Sequence, residues 1–268
     1  MIRWVANLTM LFTEVPFMER FERAARAGFR YVEFLFPYGQ DVEGIAGELA
    51  RLGLEQVLFN LPAGDWASGE RGIAADPGRR AEFRDGVERA LEIACRLGVR
   101  RLNCLAGRRR PDLPEAEQHA CLVENLRHAA DRLAAHGLVL LVEALNELDV
   151  PGFYLTTTRQ ALALLDQVGR ANVQLQYDAY HMQIMEGNLT QTLLTNLSRI
   201  GHVQVADVPG RHEPGSGEIR YPFVLEKLDQ AGYTGFVSLE YVPQDSTEES
   251  LRAAAAAGLA RLGLPHPR

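Results

Sequence analysis

The feature that most constrains the fold of this chain is a unit that repeats eight times along it. Each unit has an apolar segment of strand length, a polar loop, and a segment whose apolar residues recur at helical spacing. The predicted strands lie at residues 2–7, 31–34, 55–60, 99–106, 138–145, 173–178, 202–207 and 236–241. The predicted helices lie at residues 16–28, 42–52, 79–98, 114–136, 157–169, from 179 to near 200, 222–232 and from 246 onward. This alternation is typical of a mostly parallel sheet.

A parallel sheet of this kind can be open or closed, and two features favour closure. A closed (β/α)8 barrel, the TIM barrel, takes about 250 residues, and the chain has 268. An open nucleotide-binding sheet would require a glycine-rich turn after the first strand or a phosphate-binding loop, and neither motif is present. Since no linker or change in composition divides the chain, we predict an α/β protein that forms a single TIM-barrel domain over residues 1–268.

Composition and charge argue against several classes of function. The net charge of −7 gives no general affinity for nucleic acid or for an anionic membrane surface, and no apolar run is long enough to span a bilayer. The three cysteines, Cys95, Cys104 and Cys121, lack metal-type spacing and indicate reduced thiols in a cytoplasmic protein. The single lysine, Lys227, lies within a helical pattern, which argues against a Schiff base or a lysine-bound pyridoxal cofactor.

Every predicted strand has a carboxylate or amide side chain at or near its end. These strand-end residues are Asn7, Glu33, Asn60, Asn103, Glu143, Asp178, Gln204 and Glu240. The active site of a TIM barrel lies at this end of its strands, so these side chains are expected to converge there. Buried carboxylates that converge without partners repel one another, and a bound divalent cation relieves that repulsion. We therefore predict a metal site on the late strands, with the ligands Glu143, Asp178, Gln204 and Glu240.

The predicted ligands supply only oxygen atoms, which favours Mg²⁺ or Mn²⁺. Co²⁺ and Zn²⁺ remain alternatives, because His181 and His202 lie close in sequence. His181 follows Asp178 by three residues and is predicted to face the pocket and contact the substrate, as is Asn103 at the fourth strand end. His202 shares the face of Gln204 one layer deeper in the strand. The competing interpretation is that the acids cap helices or pair with arginines, and that His181 is a structural histidine.

Two arginines are candidates for binding an anionic substrate, because guanidinium forms two hydrogen bonds with a carboxylate. Arg211 lies in the polar loop after the seventh strand, and its alternative role is a surface ion pair with Glu213, itself a predicted substrate contact. Arg71 lies in the glycine-rich loop at residues 61–78, which is a candidate lid. Trp66 in the same loop either covers the site or packs the loop.

Eight segments spread over nearly the whole chain carry a resemblance to a known family. They are ANLTMLF, YVEFLFPY, FNLPAGDWASGERGI, LVEALN, VPGFYLTTTRQAL, LQYDAYHMQIMEGNL, GHVQVADVPGRHEPGSGEI and SLEYVPQ. Together they resemble the hydroxypyruvate isomerase family, within the xylose-isomerase-like barrels that include sugar epimerases and endonuclease IV. The segments around GDW and GERGI, and around GRHEPG and GEI, are the specific part of the match.

At two places in the sequence the residue types differ between this chain and related proteins. Gln204 stands where related ketose epimerases usually have histidine; it resembles the isomerase pattern and argues against the multi-zinc site of endonuclease IV. Ala144, Leu145 and Asn146 stand where the family usually has Pro-Ile-Asn. The acid before them is retained, and the pocket wall differs.

The resemblance implies an aldose–ketose type isomerase that interconverts hydroxypyruvate and tartronate semialdehyde, in glyoxylate and carbohydrate-acid metabolism. A proton leaves C3, an enediolate forms, and a proton returns at C2. The cation would stabilise the developing charge, while Glu143 and Glu240 would transfer the protons as catalytic residues. Arg211, with Arg71, would hold the substrate carboxylate.

Other functions remain open from the sequence. A 2-oxo-tetronate isomerase or a ketose 3-epimerase would use the same metal and paired glutamates, and a sugar-acid binding protein would use the same barrel without catalysis. The expected partner is a small sugar-acid molecule, and neither nucleic acid nor a membrane. The sequence does not determine the oligomeric state, and a homo-oligomer is compatible with it.

Overall fold

Nine parallel strand segments form the framework of the computed structural model, which describes residues 2–267. They are β1 (Arg3–Asn7), β2 (Tyr31–Glu33), β3 (Glu55–Gln56), β4 (Phe59–Asn60), β5 (Arg101–Cys104), β6 (Val139–Glu143), β7 (Val173–Asp178), β8 (Ile200–Val205) and β9 (Phe236–Leu239). Their order in the sheet is β3-β2-β1-β9-β8-β7-β6-β5-β4. The first strand thus pairs with the last one, as in a sheet that wraps around an axis.

The two ends of this order, β3 and β4, are the two halves of the predicted strand at residues 55–60. β3 pairs with β2 through Gln56 and Val32, and β4 pairs with β5 through Asn60 and Asn103. Only two residues separate β3 from β4, so one extended segment is bonded to both neighbours and closes the sheet. The nine segments therefore occupy eight strand positions around the barrel, and the predicted (β/α)8 barrel is confirmed.

Helices pack around the outside of the barrel and begin and end close to the predicted positions, with one exception. They are α1 (Phe17–Arg26), α2 (Val42–Leu52), α3 (Arg80–Leu97), α4 (Glu115–Ala134), α5 (Thr158–Val168), α6 (Ala179–Met185), α7 (Leu189–Thr195), α8 (Tyr221–Gln230) and α9 (Thr247–Ala256). The exception is the helical region after β7, which is split into α6 and α7. Between them, Gly187 and Asn188 have positive φ angles of 63° and 48°, and this left-handed conformation interrupts a right-handed helix.

Short-range signals fix where the helices start and stop. Asp41 accepts a hydrogen bond from the backbone N–H of Gly44 at the start of α2, and Gly53 follows the end of that helix with φ 65°. At the start of α9, Ser246 and Glu249 form a reciprocal capping box. These local signals define both ends of α2 and the start of α9.

Alternate side chains of each strand point into the barrel, so its interior is built in layers. A small buried cluster of Val5, Val57, Leu58, Leu141 and Phe236 fills the middle of the barrel. It is separate from the large apolar cluster that joins strands and helices. Two residues beyond Val5 and Leu141, the same strand faces carry polar strand-end residues. The carboxyl end of the barrel therefore presents polar groups above an apolar floor.

The barrel places the first and last strands side by side, since β1 pairs with β9. Within residues 2–267, no helix is long and apolar enough to cross a membrane. The predicted domain bounds, residues 1 and 268, lie outside the described part of the chain.

Candidate active site

The strand-end side chains lie together at the carboxyl end of the barrel, where all eight are buried. The exposed fraction is 4% or less for Asn7, Glu33, Asn60, Asn103, Glu143, Asp178, Gln204 and Glu240. Asn7 Nδ2 donates to Glu33 Oε1 at 3.0 Å and to Glu240 Oε1 at 2.9 Å. Asn103 Nδ2 donates to Glu143 Oε2 at 2.8 Å. Amides and acids from distant strands thus form one connected polar layer.

Three carboxylates in this layer, Glu143, Asp178 and Glu240, lie close to the same guanidinium. Arg211 Nη2 is 2.5 Å from Glu240 Oε2 and 3.2 Å from Asp178 Oδ2. Oxygen atoms of Glu143 and Asp178 and a ring nitrogen of His181 lie within 4.8 Å of one another. The two carboxylates of this buried group are candidate cation ligands.

The surroundings favour the protonated forms of these acids. Burial, together with the charge of Asp178, raises the pKa of Glu143 to about 8. Burial also raises the pKa of Asp178 and of Glu240, against the opposing effect of the Arg211 guanidinium. One guanidinium therefore does not balance three buried carboxylates, and a site with this excess of negative charge is suited to a divalent cation.

The raised pKa of Glu143 gives an expected pH dependence of stability for the metal-free protein. Between pH 4.5, the usual pKa, and about pH 8, the folded protein keeps a proton on Glu143 that the unfolded chain has lost. The free energy of unfolding therefore falls as pH rises, by about 1.4 kcal/mol per pH unit for one proton. We expect the Tm measured by calorimetry with chelator to fall by roughly 2–5 °C per pH unit across this window.

The matched variant for this experiment is Glu143→Gln, which removes the titrating group and keeps its shape. Its Tm should change less with pH than that of the unmodified protein. Equal slopes in the two proteins would show that Glu143 does not titrate in this window.

His181 is held with the Nε2 side of its ring toward the acids. Its Nδ1 accepts hydrogen bonds from the backbone N and from Nδ2 of Asn146, at 3.1 and 2.7 Å. Asp149 orients that amide, because it accepts from Asn146 Nδ2 and donates its backbone N–H to Asn146 Oδ1. Burial and the charge of Arg211 lower the pKa of His181, so the neutral ring carries its proton on Nε2, 3.6 Å from Asp178 Oδ2. In this tautomer Nε2 donates a hydrogen bond and does not ligate a metal.

Three residues that support this histidine or surround it were not predicted as site residues from the sequence. Asn146 and Asp149 follow the end of β6, and Tyr180 follows the end of β7. The Tyr180 hydroxyl donates to Asp149 Oδ2 at 2.9 Å. Polar residues in the first loop positions after a barrel strand were the available signal, since such loops carry the site in this architecture.

Gln204 pairs in register with Asp178, and both ends of its amide are hydrogen-bonded. Its Nε2 donates to Glu33 Oε1 at 2.9 Å, and its Oε1 accepts from Gln176 Nε2 at 2.7 Å. The oxygen that is predicted to bind a metal therefore faces a neighbouring N–H group. Its role as a ligand stays a prediction.

A cleft of about 290 Å³ opens beside this polar layer, a volume suited to a small ligand. Its polar lining consists of Asn60, Arg71, Glu143, Asp149, His181, Arg211 and Glu240. Its apolar lining consists of Met10, Leu35, Trp66, Leu105, Leu145 and Val150. Of these, only Trp66 and Leu145, the latter as part of the pocket wall, were named from the sequence. Four predicted site residues are not part of the lining: Asn103, Asp178, Gln204 and Glu213.

Arg71 brings the loop at residues 61–78 to the edge of the cleft. Its guanidinium carbon lies 3.8 Å from the centre of the Trp66 ring, and its Nη1 donates to the carbonyls of Trp66 and Glu70 at 3.2 and 2.7 Å. Trp66 also contacts Phe36, with ring centres 4.9 Å apart. Both roles considered for Trp66 are thus present, because it packs the loop and lines the cleft.

The loop after β8 carries Arg211 to the acids. Asp207 folds this loop by accepting hydrogen bonds from three of its backbone N–H groups at 2.8–3.0 Å. Arg211 pairs with the buried acids rather than with Glu213. The Glu213 carboxylate instead accepts from the backbone N of Gln244 at 3.2 Å, which joins this loop to the one after β9. A contact between Glu213 and the substrate stays a prediction.

Comparison with known sequences finds relatives along almost the full length of the chain. The model of the xylose isomerase-like TIM barrel family matches residues 21–260. The hydroxypyruvate isomerase of Escherichia coli K12 is 52% identical over 94% of this chain and 98% of that protein. The 2-oxo-tetronate isomerase of Cupriavidus necator is 44% identical over 94% of this chain and 96% of that protein.

Solved structures with the same fold also match this chain. A structure from Brucella melitensis, described as an AP endonuclease of family 2, superposes with a TM-score of 0.93 at 47% identity and covers 96% of this chain and 99% of that one. A D-allulose 3-epimerase from Methylomonas sp. superposes with a TM-score of 0.77 at 22% identity, covering 99% of this chain and 97% of that one. The second similarity shows the fold alone.

Proposed function

The chain belongs to the hydroxypyruvate isomerase family of xylose isomerase-like TIM barrels, and we propose that it interconverts hydroxypyruvate and tartronate semialdehyde through an enediolate. The family and the isomerase class predicted from the sequence are confirmed by the relatives. The observation that carries the proposal is that two proposed proton-transfer groups, Glu143 and Glu240, line one small cleft together with the hydrogen-bond donors His181 and Arg211.

A divalent cation is the cofactor that this site fits best. The proposed ligands are Glu143, Asp178, Gln204 and Glu240, with Mg²⁺ or Mn²⁺ favoured by the oxygen donors. Two further buried amide oxygens near Glu143, Asn103 Oδ1 and Gln176 Oε1, have no hydrogen-bond partner among the described residues, which adds to the excess of acceptors. When bound, the ion supplies Lewis-acid stabilisation of negative charge on the substrate oxygens.

Glu143 and Glu240 are the proposed proton-transfer residues, one acting at C3 and the other at C2. Asn103 holds Glu143 through a hydrogen bond of 2.8 Å, and Asn7 holds Glu240 through one of 2.9 Å. A pKa of about 8 allows Glu143 to take up and release a proton near neutral pH. Fixed carboxylates with raised pKa values are the arrangement that aldose–ketose proton shifts require.

His181 is the proposed hydrogen-bond donor to a substrate oxygen. Its Nε2–H is directed toward the acids, and its neutral form is enforced by burial. A neutral donor can stabilise a developing oxyanion without adding a second proton source beside the glutamates. The Asn146 amide, which bonds Nδ1, keeps the ring in this orientation.

Arg71 and Arg211 are the proposed partners of the substrate carboxylate. Arg211 already uses Nη2 on Asp178 and Glu240. Arg71, by contrast, donates only to carbonyl groups and lies within 4.0 Å of no carboxylate of residues 2–267. The Arg71 guanidinium is therefore available to an incoming anion at the edge of the cleft.

Replacing Arg71 by alanine is expected to raise KM for hydroxypyruvate about 10- to 100-fold, the loss of one charged hydrogen-bonded contact. The kcat value should change much less, because Arg71 hydrogen-bonds to loop carbonyls and to neither proton-transfer acid. Steady-state kinetics with Arg159→Ala, an exposed arginine on α5, provides the matched control. An unchanged KM in Arg71→Ala would remove this residue from carboxylate binding.

A second candidate substrate is a 2-oxo-tetronate, and the 44% identity to an isomerase of that name favours it. A panel of hydroxypyruvate, 2-oxo-tetronates and free ketoses separates the candidates by kcat/KM. The proposal expects hydroxypyruvate to be the best substrate. A preference of 10-fold or more for a 2-oxo-tetronate would reassign the substrate and keep the chemistry, and a ketose preference would indicate an epimerase.

We also propose that the enzyme works in the cytoplasm. Cys95 is exposed, Cys104 and Cys121 are buried, and all three are free. Free thiols of this kind fit a reducing compartment.

A further inference from the structure

A buried glutamate and a buried histidine are in contact inside the barrel next to the proposed cation site. Glu33 Oε2 and His202 Nε2 are 2.8 Å apart, and neither side chain is exposed to solvent. Glu33 is not part of the cleft lining, so it is a buried acid that the proposed chemistry leaves without a role. A buried carboxylate is costly unless neighbouring groups compensate its charge, so the contacts of Glu33 indicate its role.

The second oxygen of Glu33 accepts hydrogen bonds from two amides. Asn7 Nδ2 is 3.0 Å from Oε1, and Gln204 Nε2 is 2.9 Å from it. A carboxylate only accepts hydrogen bonds, so both amides must direct their nitrogen toward it. Asn7 is further fixed because its Oδ1 accepts from the backbone N of Thr9 at 3.0 Å. Its Nδ2 then reaches Glu240 as well.

This arrangement decides which end of the Gln204 amide faces away from Glu33. With Nε2 on Glu33, the oxygen is presented on the opposite side, where Gln176 Nε2 donates to it at 2.7 Å. An unconstrained amide among several carboxylates would turn its NH₂ group toward them, because that end alone donates. An amide turned in that way offers hydrogens where a cation requires oxygen.

We propose that Glu33, in contact with His202, is a positioning residue: it fixes the Gln204 amide with its oxygen turned away from Glu33, the orientation in which that oxygen can bind the cation in place of the Gln176 N–H, and it keeps Glu240 in place through Asn7. The inference rests on the proposed cation site. It assigns to Glu33 a role outside the set of ligands and proton-transfer residues. Groups that orient ligands in this way change metal affinity about 10- to 100-fold when they are substituted.

The first test is Mn²⁺ binding to the chelator-treated protein, measured by electron paramagnetic resonance without substrate. Glu33→Gln should raise the Kd for Mn²⁺ about 10- to 100-fold, since glutamine can donate as well as accept and no longer fixes the amide. Glu33→Asp keeps the charge, but its shorter side chain moves the carboxylate oxygen away from the two amides. This variant should therefore also raise the Kd for Mn²⁺. Glu55→Gln, an exposed acid on β3, is the matched control and should bind as the unmodified protein does.

A double-mutant cycle separates orientation from loss of charge. In the Gln204→Ala background position 204 carries no amide, so no orientation has to be selected. Glu33→Gln should then change the Kd less than about 3-fold, compared with 10- to 100-fold in the native background. Equal effects in the two backgrounds would show that only the charge of Glu33 matters, and would overturn the proposal.

The outcomes distinguish this inference from the proposed function. If the unmodified protein binds no Mn²⁺, the cation site itself is wrong. If it binds Mn²⁺ and both Glu33 variants have the same Kd for Mn²⁺ as the unmodified protein, the positioning role is wrong and the cation site stands. Circular dichroism of each variant reports folding, and Glu33→Asp carries the test if Glu33→Gln does not fold.

Discussion

Replacing Glu240 by glutamine is expected to lower kcat for hydroxypyruvate isomerisation by about 10²- to 10⁴-fold, the usual contribution of one positioned proton-transfer group. Glutamine has nearly the same shape, but its amide cannot act as a proton acceptor and donor in catalysis at neutral pH. Glu240 lies at the cleft and is fixed by Asn7 and Arg211 at 2.9 and 2.5 Å. The main effect should therefore be on turnover, and KM should change much less.

The fold of this variant should survive. Burial raises the pKa of Glu240 well above its usual range, so an uncharged side chain at this position suits its surroundings. The Tm should stay within a few degrees of the unmodified value, and Glu226→Gln, on an exposed position of α8, is the control for the substitution itself. Turnover near that of the unmodified enzyme would exclude Glu240 from the proton transfer.

Replacing Asp178 by asparagine is expected to have the second large effect, through the cation. Asp178 supplies one of three buried carboxylates, and asparagine removes its charge while keeping one oxygen. We expect the Kd for Mn²⁺ to rise at least about 100-fold, because a ligand contributes more than the groups that orient it. The kcat value at low metal concentration should fall in parallel.

A structural role of Asp178 can be separated from its proposed ligand role. Its Oδ1 accepts from the backbone N of Tyr180 at 2.8 Å at the start of α6, and asparagine caps a helix as well as aspartate does. Helix α6 should therefore remain intact in the variant. Asp166→Asn, an exposed acid paired with Arg199, is the control. Unchanged Mn²⁺ affinity in Asp178→Asn would remove this residue from the ligand set.

The fold could be predicted from the sequence because local signals repeat with the barrel. Apolar runs mark the strands, and Gly53, Gly98 and Gly169 mark the ends of helices with positive φ angles. The break between β3 and β4 was not visible, since the segment at residues 55–60 reads as one strand. It arises because the segment bonds to β2 with its first half and to β5 with its second.

The residues of the candidate site were easier to predict than their contacts. Burial at the strand ends follows from position alone, which placed Glu143 and Glu240 at the cleft. The pairing of Arg211 with Asp178 and Glu240 depends on how the loop after β8 folds back, and no local pattern encodes that. The same holds for His181, whose tautomer is set by Asn146 from another loop.

The buried layer shows a further limit of sequence patterns. The period of two in a strand placed His202 on the same face as Gln204, one layer deeper. This period did not indicate that Glu33, about 170 residues away, would contact His202 and accept a hydrogen bond from Gln204. Contacts across the barrel axis join residues from strands that are remote in sequence, so they can be identified only from the closed structure.

The measurement that tests the central claim most directly is proton NMR of the purified protein with hydroxypyruvate in D₂O, with Mg²⁺ or Mn²⁺ and with a chelator as control. The account predicts metal-dependent formation of tartronate semialdehyde that carries deuterium at C2, because the proton returned to the enediolate comes from an acid that exchanges with solvent. No product from the metal-loaded protein would contradict the assigned substrate. Product without deuterium at C2 would contradict the enediolate and the paired glutamates.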